Sequence, residues 1–152
     1  MGTGKVLALQ IGGEEGGPVH ALDEVKAVAG AGLEGDRYMQ DDVPEDQRDP
    51  TLEITLIALE GIEAARQESG LEIVFEDTRR NVLTENVPLD DLIGKTFRVG
   101  EVEIEALEDN PACAHLQRLV GKKLLKSLRT RGGVRGRIVN GGVIRTGDTV
   151  FF

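Results

Sequence analysis

Glycine sets the strongest limit on what this chain can become. Short apolar runs recur along it, and most end at a glycine turn: Gly12-Gly13, Gly16-Gly17, Gly132-Gly133, Gly136, Gly141-Gly142 and Gly147. Runs this short cannot be long core helices, whereas strands bounded by glycine corners suit them well. Val6 to Ile11, Val25 to Ala29, Thr51 to Ala58 and Asn81 to Thr84 read as strands on this basis. The clearest is Glu101 to Ala106, where Val102, Ile104 and Ala106 alternate with Glu101, Glu103 and Glu105. A period of two with acids on one side describes a half-buried strand.

Two segments break the pattern. Leu59, Ile62, Ala65 and Arg66 have helical spacing and Gly70 provides a stop, so Leu59 to Ser69 is expected to be a helix. Leu116, Leu119, Val120, Leu124 and Leu128 form a second amphipathic stripe after the Asp109-Asn110-Pro111 break. Between Gly30 and Pro50 the periodicity dissolves into a loop carrying Asp41, Asp42, Glu45, Asp46 and Asp49. Loops of that length in a compact domain are uncommon and often functional. The expected fold is mostly β: a closed or partly open barrel, or a sandwich, of short strands with about two helices. No repeat or low-complexity segment interrupts it, and residues 1–152 read as a single domain.

Charge is unevenly spread. The net charge is −9, yet residues 111–152 carry nine basic side chains against Asp148 alone, leaving −17 on residues 1–110. An acidic protein with one basic segment is a poor general nucleic-acid binder, and 3% aromatic residues leave little for base stacking. The basic segment is either a solvated helix face or a patch for a small anion or an acidic partner surface. No apolar run approaches the ~20 residues that span a bilayer, and the N-terminus lacks a signal-peptide pattern. Cys113 is the one cysteine, so an internal disulfide is impossible. The expected setting is cytoplasmic.

Gly30-Ala31-Gly32-Leu33-Glu34-Gly35 matches the dinucleotide fingerprint in letters only. That motif needs a helix to open at its third glycine, and here Asp36-Arg37-Tyr38 leads into the acidic loop. In Arg79-Arg80-Asn81, extended chain would turn Arg79 and Asn81 to one side and Arg80 away, so that an arginine fork and an amide address one ligand. An ion pair of Arg79 with Glu76 or Asp77 is the competing outcome. A lone cysteine is most often a small buried hydrophobe. Cys113, however, follows Asn110-Pro111 and precedes a helix bearing Arg118, Lys122 and Lys123. Helix N-termini and nearby cations favour the thiolate, which is both nucleophile and soft metal ligand. His115 can orient a substrate or donate a proton, or simply cap the helix.

These segments together resemble the MOSC family, the domain found at the C-terminus of molybdenum-cofactor sulfurases. Gly32-Leu33-Glu34-Gly35-Asp36-Arg37-Tyr38 resembles its early Gly-x-x-Gly-Asp-Arg-His/Tyr signature, and Arg79-Arg80-Asn81 its Arg-x-Asn element. Pro111-Ala112-Cys113-Ala114-His115-Leu116 is similar to its Pro-Cys-x-x-Leu segment, with the proline here two residues before the cysteine. Leu89 to Gly100 is similar to Leu-x-x-Leu-Ile-Gly-Lys-x-Phe-x-Val-Gly, and the closing glycine turns follow in order.

The resemblance implies a MOSC-like barrel with a molybdenum pterin cofactor. Cys113 would either carry sulfur to molybdenum or ligate molybdenum during reduction of N-hydroxylated compounds. It implies cofactor contacts from Gly35, Asp36, Arg37, Arg79, Asn81 and Arg118, with His115 beside the reacting centre. The family's association with pyridoxal phosphate belongs to the cysteine desulfurase that supplies sulfur. At 152 residues this chain is too short to include one, so a separate desulfurase or electron-transfer protein is the expected partner of a small-molecule site. The alternative is a non-catalytic barrel that binds an anion or a partner.

Overall fold

The computed structural model describes residues 2–152. Eleven strands form two sheets: β1 (Thr3–Gly12), β2 (Val19–Leu22), β3 (Glu24–Val28), β4 (Gly32–Leu33), β5 (Ile54–Ala58), β6 (Val82–Glu85), β7 (Thr96–Val99), β8 (Val102–Asp109), β9 (Val134–Asn140), β10 (Gly142–Arg145) and β11 (Thr149–Phe151). The larger sheet runs β11-β7-β8-β9-β5-β6-β1-β2, and β11 also pairs with β1. That last pairing closes seven strands into a barrel, with β2 as an extra strand on β1, so barrel rather than sandwich is the outcome. β10, β3 and β4 make a small second sheet.

Four helices accompany the strands: α1 (Leu59–Ser69), α2 (Phe75–Thr78), α3 (Ala114–Val120) and α4 (Leu125–Leu128). Helix α1 has the expected limits, and Gly70 ends it in the left-handed conformation at φ 70°. The stripe from Leu116 to Leu128 is not one helix. Gly121 takes φ 76° and caps α3, and the chain restarts as α4. The same leucines still face one way, because Leu116, Leu124 and Leu128 pack with Ile57, Ile62, Ala65 and Leu83 in one apolar cluster. No helix among the described residues is long and apolar enough to cross a membrane.

Strand alternation divides the core in two. On β5 and β6, Leu56 and Val82 point into the barrel while Ile57 and Leu83 point outward to the helices. On β8, Val102, Ile104 and Ala106 are fully buried in the barrel, and Glu103 and Glu105 on the other face meet Asn140 and Arg137 of β9. β5 and β6 are parallel, joined across α1 and α2, so both begin at the same rim. β1, antiparallel to β6, ends at that rim; β9, antiparallel to β5, starts opposite Leu56 in the middle of β5, and β8 ends beside it at Asp109. Chain ends and starts converge at this one place.

The segment expected to be loop from Gly30 to Pro50 includes β4, which pairs with β3, and beyond it the chain is tied by a side chain. The buried Gln40 amide donates to the Asp49 carbonyl (2.8 Å) and accepts from the Asp49 N–H (2.8 Å), closing the acidic loop at its neck. Removing buried volume from the barrel should be costly. Ile104→Ala is expected to lower unfolding free energy by about 2–5 kcal/mol with an unchanged urea slope. A loss under about 1 kcal/mol in urea denaturation would contradict the packing described.

Candidate functional site

A cleft of about 410 Å³ opens at the rim where β1, β5, β6, β8 and β9 begin or end. Its lining includes Gly12, Asp36, Arg37, Tyr38, Thr55, Arg79, Arg80, Asn81, Asn110, Cys113, His115 and Arg135. Of the residues expected from sequence, Asp36, Arg37, Arg79, Asn81, Cys113 and His115 are therefore together. Gly35 and Arg118 do not line it. Gly35 acts one step back, taking φ 86° in the turn that delivers Asp36. Arg118 is exposed on α3.

Cys113 is a free, exposed thiol in extended backbone at the residue before α3, so it is not a buried hydrophobe. The cations expected to flank it lie elsewhere. Lys122 is bonded to Asp77 (2.7 Å) and to the Glu72 carbonyl (2.9 Å). The competing ion pair of Arg79 with Asp77 does not form, because Lys122 takes that carboxylate. Much of the remaining basic segment is occupied too: Arg131 pairs with Glu68 and Arg137 with Glu105, while Arg145 lies 3.7 Å from Glu101. The cation that does fix the chain entering the Cys113 segment is Arg80, through the Asn110 carbonyl.

Arg80 corrects the extended-chain reading. Arg79 follows α2 in the left-handed conformation (φ 58°), which breaks the i, i+2 geometry. Arg80 turns inward instead of away and is only 9% exposed. Its Nε donates to the Gly132 carbonyl (2.8 Å), Nη1 to Thr78 (3.2 Å) and Nη2 to Asn110 (2.7 Å). Among the described residues no carboxylate pairs with it. Burial and the nearby Arg135 push its pKa down to about 10, so it remains charged at neutral pH.

Gly132 permits this arrangement, since a Cβ there would collide with the Asn110 carbonyl. The sequence pattern marks none of Arg80, Asn110 and Arg135 as a site residue. A buried bond to backbone carbonyls leaves no spacing signal.

Asn81 is a clamp rather than a free ligand. Its Oδ1 accepts from the Thr55 N–H (3.0 Å) and Oγ1 (2.9 Å), and its Nδ2 donates to the Gln10 carbonyl (3.2 Å). Asp36 is similarly employed. Its Oδ1 accepts from the Gly12 N–H (3.0 Å), and burial raises its carboxyl above the usual carboxylate range. Arg37 stands 4.5 Å over the Tyr38 ring and its Nη2 donates to the Tyr38 hydroxyl (2.6 Å). The Arg37 Nη1 atom is buried without a partner. Arg79 donates to the Gly17 carbonyl (2.7 Å), and burial and Arg37 together lower its pKa.

The lining thus holds four guanidinium groups, one carboxylate and one accessible thiol. Such a site takes an anion and offers a soft donor.

The MOSC domain family model matches residues 48–151. The chain belongs to the MOSC family. Among solved structures, YuaD from Bacillus subtilis is similar over 98% of this chain and 94% of its own, at 17% identity and a TM-score of 0.79. YiiM from Geobacillus stearothermophilus covers 99% of this chain and 74% of its own, at 12% identity and a TM-score of 0.70. YiiM from Escherichia coli covers 97% and 68%, at 17% identity and a TM-score of 0.66. At these identities the likeness is one of fold. No significant match is found among curated proteins.

The donor set also fits the cofactor associated with this family. Among the described residues no group of three or more His, Cys, Asp or Glu could hold a metal ion. A metal here would rest on one thiolate and on ligands carried by its own organic group. The unpartnered Arg37 Nη1 and the surplus of guanidinium charge suit an anionic carrier of that kind. The cleft volume lies within the ~300–1,000 Å³ usual for ligand sites.

The Asn81 clamp gives a measurable cost. Asn81→Ala removes one buried and two part-buried bonds at about 1 kcal/mol each, so unfolding free energy should fall by about 3 kcal/mol. A loss below about 1 kcal/mol in urea denaturation would show that the amide is free for other duties.

Proposed function

We propose that this MOSC protein binds a molybdenum pterin cofactor in the rim cleft, with Cys113 as the sulfur donor to the metal or the carrier of a transferable sulfur. One observation carries the reading: an exposed thiol shares a cleft with four arginines and a single carboxylate whose ionisation burial disfavours. A thiolate is a soft ligand, and guanidinium forks match phosphate oxygens. When bound, the cofactor supplies a high-valent metal able to exchange sulfur and oxygen ligands and to pass electron pairs.

The chain's own residues do the rest. Arg37 and Arg79 hold the anionic end of the ligand, with the Arg37 Nη1 gaining the partner it lacks. Asp36 and Asn81 act indirectly, by fixing Gly12, Thr55 and Gln10 at the rim. His115 lies in the same lining as Cys113, where its imidazole can hydrogen-bond a ligand. Sulfur transfer and reduction of N-hydroxylated compounds both use this thiol. In either case sulfur or electrons arrive from a separate desulfurase or electron-transfer protein, in a cytoplasmic setting. A binding module without chemistry would use the arginines and leave Cys113 idle.

The test is metal and pterin content after expression with molybdate. Wild-type protein should purify with molybdenum and pterin approaching one per chain. Cys113→Ala should lose most of the metal, and Arg37→Gln with Arg79→Gln should lose most of the pterin. Equal molybdenum in wild type and Cys113→Ala would remove the thiolate from the reading.

A further inference from the structure

The four arginines of the cleft fall into two pairs. Arg37 and Arg79 act on one another beside Asp36 and Tyr38. Arg80 and Arg135 form the other pair and share the cleft lining with Cys113. Asn110 joins that second pair: its backbone carbonyl accepts from Arg80 Nη2 (2.7 Å), and its side-chain Oδ1 accepts from Arg135 Nε (2.9 Å). The asparagine is itself 4% exposed, so it holds Arg135 in a fixed direction.

Neither guanidinium is neutralised inside the cleft. Arg80 is nine-tenths buried and bonded only to carbonyls, through three of its five N–H groups. Arg135 keeps both terminal nitrogens unbonded apart from a loose 3.9 Å approach of Nη1 to Glu108, where both side chains are substantially exposed. Asp49 also feels the Arg135 charge, but its carboxylate is bonded to the Thr51 N–H (3.0 Å) and hydroxyl (2.7 Å). Two cations of like sign, one of them desolvated, are held together with no anion between them. Burying a charge in this way is expensive unless a counter-charge arrives.

We propose that Arg135 and Arg80 form an oxyanion subsite next to Cys113 that selects substrates bearing a carboxylate. The inference deepens the cofactor reading, since it names the substrate class at the same thiol, but its test needs no cofactor. A planar guanidinium with two free terminal nitrogens matches a carboxylate in a two-point contact. The Arg37–Arg79 pair remains for the anionic end of the cofactor.

Because Cys113 is the single cysteine of the chain, its alkylation reads the local field directly. Metal-free protein is treated with iodoacetate and, separately, with iodoacetamide at one pH in a phosphate-free buffer. The ratio of the two rates is divided by that of N-acetylcysteine. Both reagents attack the same thiolate, so its degree of ionisation cancels.

At low salt the normalised ratio for wild type should exceed one by about threefold or more, and it should collapse towards one in 0.5 M KCl as the field is screened. Arg135→Gln should bring it close to one at low salt. Lys126→Gln, on α4 and outside this lining, should leave it unchanged. A wild-type ratio at or below one, or one insensitive to both salt and Arg135→Gln, overturns the subsite. A ratio that does not change with salt overturns the subsite even if the variant fails to fold.

A second arm separates two sources of oxyanion by protection of Cys113 from iodoacetamide. Arg135-dependent protection by succinate supports a carboxylate-bearing substrate. Protection by inorganic phosphate alone assigns the pair to a phosphate group and overturns the proposal. Molybdenum content plays no part in these measurements, so failure of the cofactor reading and failure of the subsite are told apart.

Discussion

The rim depends on one buried cation. Arg80 reaches from the turn after α2 to the carbonyls of Thr78, Asn110 and Gly132, tying together three stretches of chain far apart in sequence. Bonds from a charged donor in a low-dielectric interior are strong, and each fixes a backbone carbonyl that would otherwise seek water. Through Asn110 it sets where the chain leaves β8 and enters the Cys113 segment. Through Gly132 it sets the turn that starts β9. A neutral residue could close neither gap with the same reach. The desolvation of the guanidinium is therefore the cost of holding the thiol in place, and that cost is why the cleft begins with a surplus of positive charge.

The barrel explains why such a cost can be tolerated. Its interior is filled by inward-facing aliphatics such as Leu56, Ile104 and Ile138, all 1% exposed or less. A second cluster under α1, α3 and α4 anchors the outer faces of β5 and β6. The polar residues gather where strands end, because a strand inside the barrel has both its backbone and its core face spoken for. At the rim the backbone groups lose their ladder partners, and Asp36, Asn81 and Arg80 supply bonds in their place. The groups that make the site are thus the groups that terminate the sheet.

Local order was far more legible than long-range contact. The β8 alternation and the limits of α1 were plain, since each rests on periodicity over several residues. The break between α3 and α4 was not, because Leu124 and Leu128 stay on the same side after Gly121 turns the chain. The error at Arg79-Arg80-Asn81 has a similar origin. Phe75–Thr78 is too short to show a helical period, yet its end throws Arg79 into the left-handed region and reverses which arginine faces inward. The basic segment misled for another reason. Counting charges in sequence cannot see that Glu68, Asp77 and Glu105 lie across from Arg131, Lys122 and Arg137.

Those ion pairs decide where the remaining charge can matter. Pairs on the surface contribute little stability, but they cancel the long-range field of the residues they join. With Lys122, Arg131 and Arg137 balanced in this way, the cation of the cleft that is most buried and has only carbonyls as partners is Arg80. The protein is acidic overall, so an anion approaching most of its surface meets repulsion. At the rim cleft the balance reverses, beside a thiol that solvent can reach. Selectivity for an anionic ligand then follows from the placement of acids as much as from the arginines themselves, because removing a neighbouring carboxylate and adding a guanidinium change the local field in the same direction.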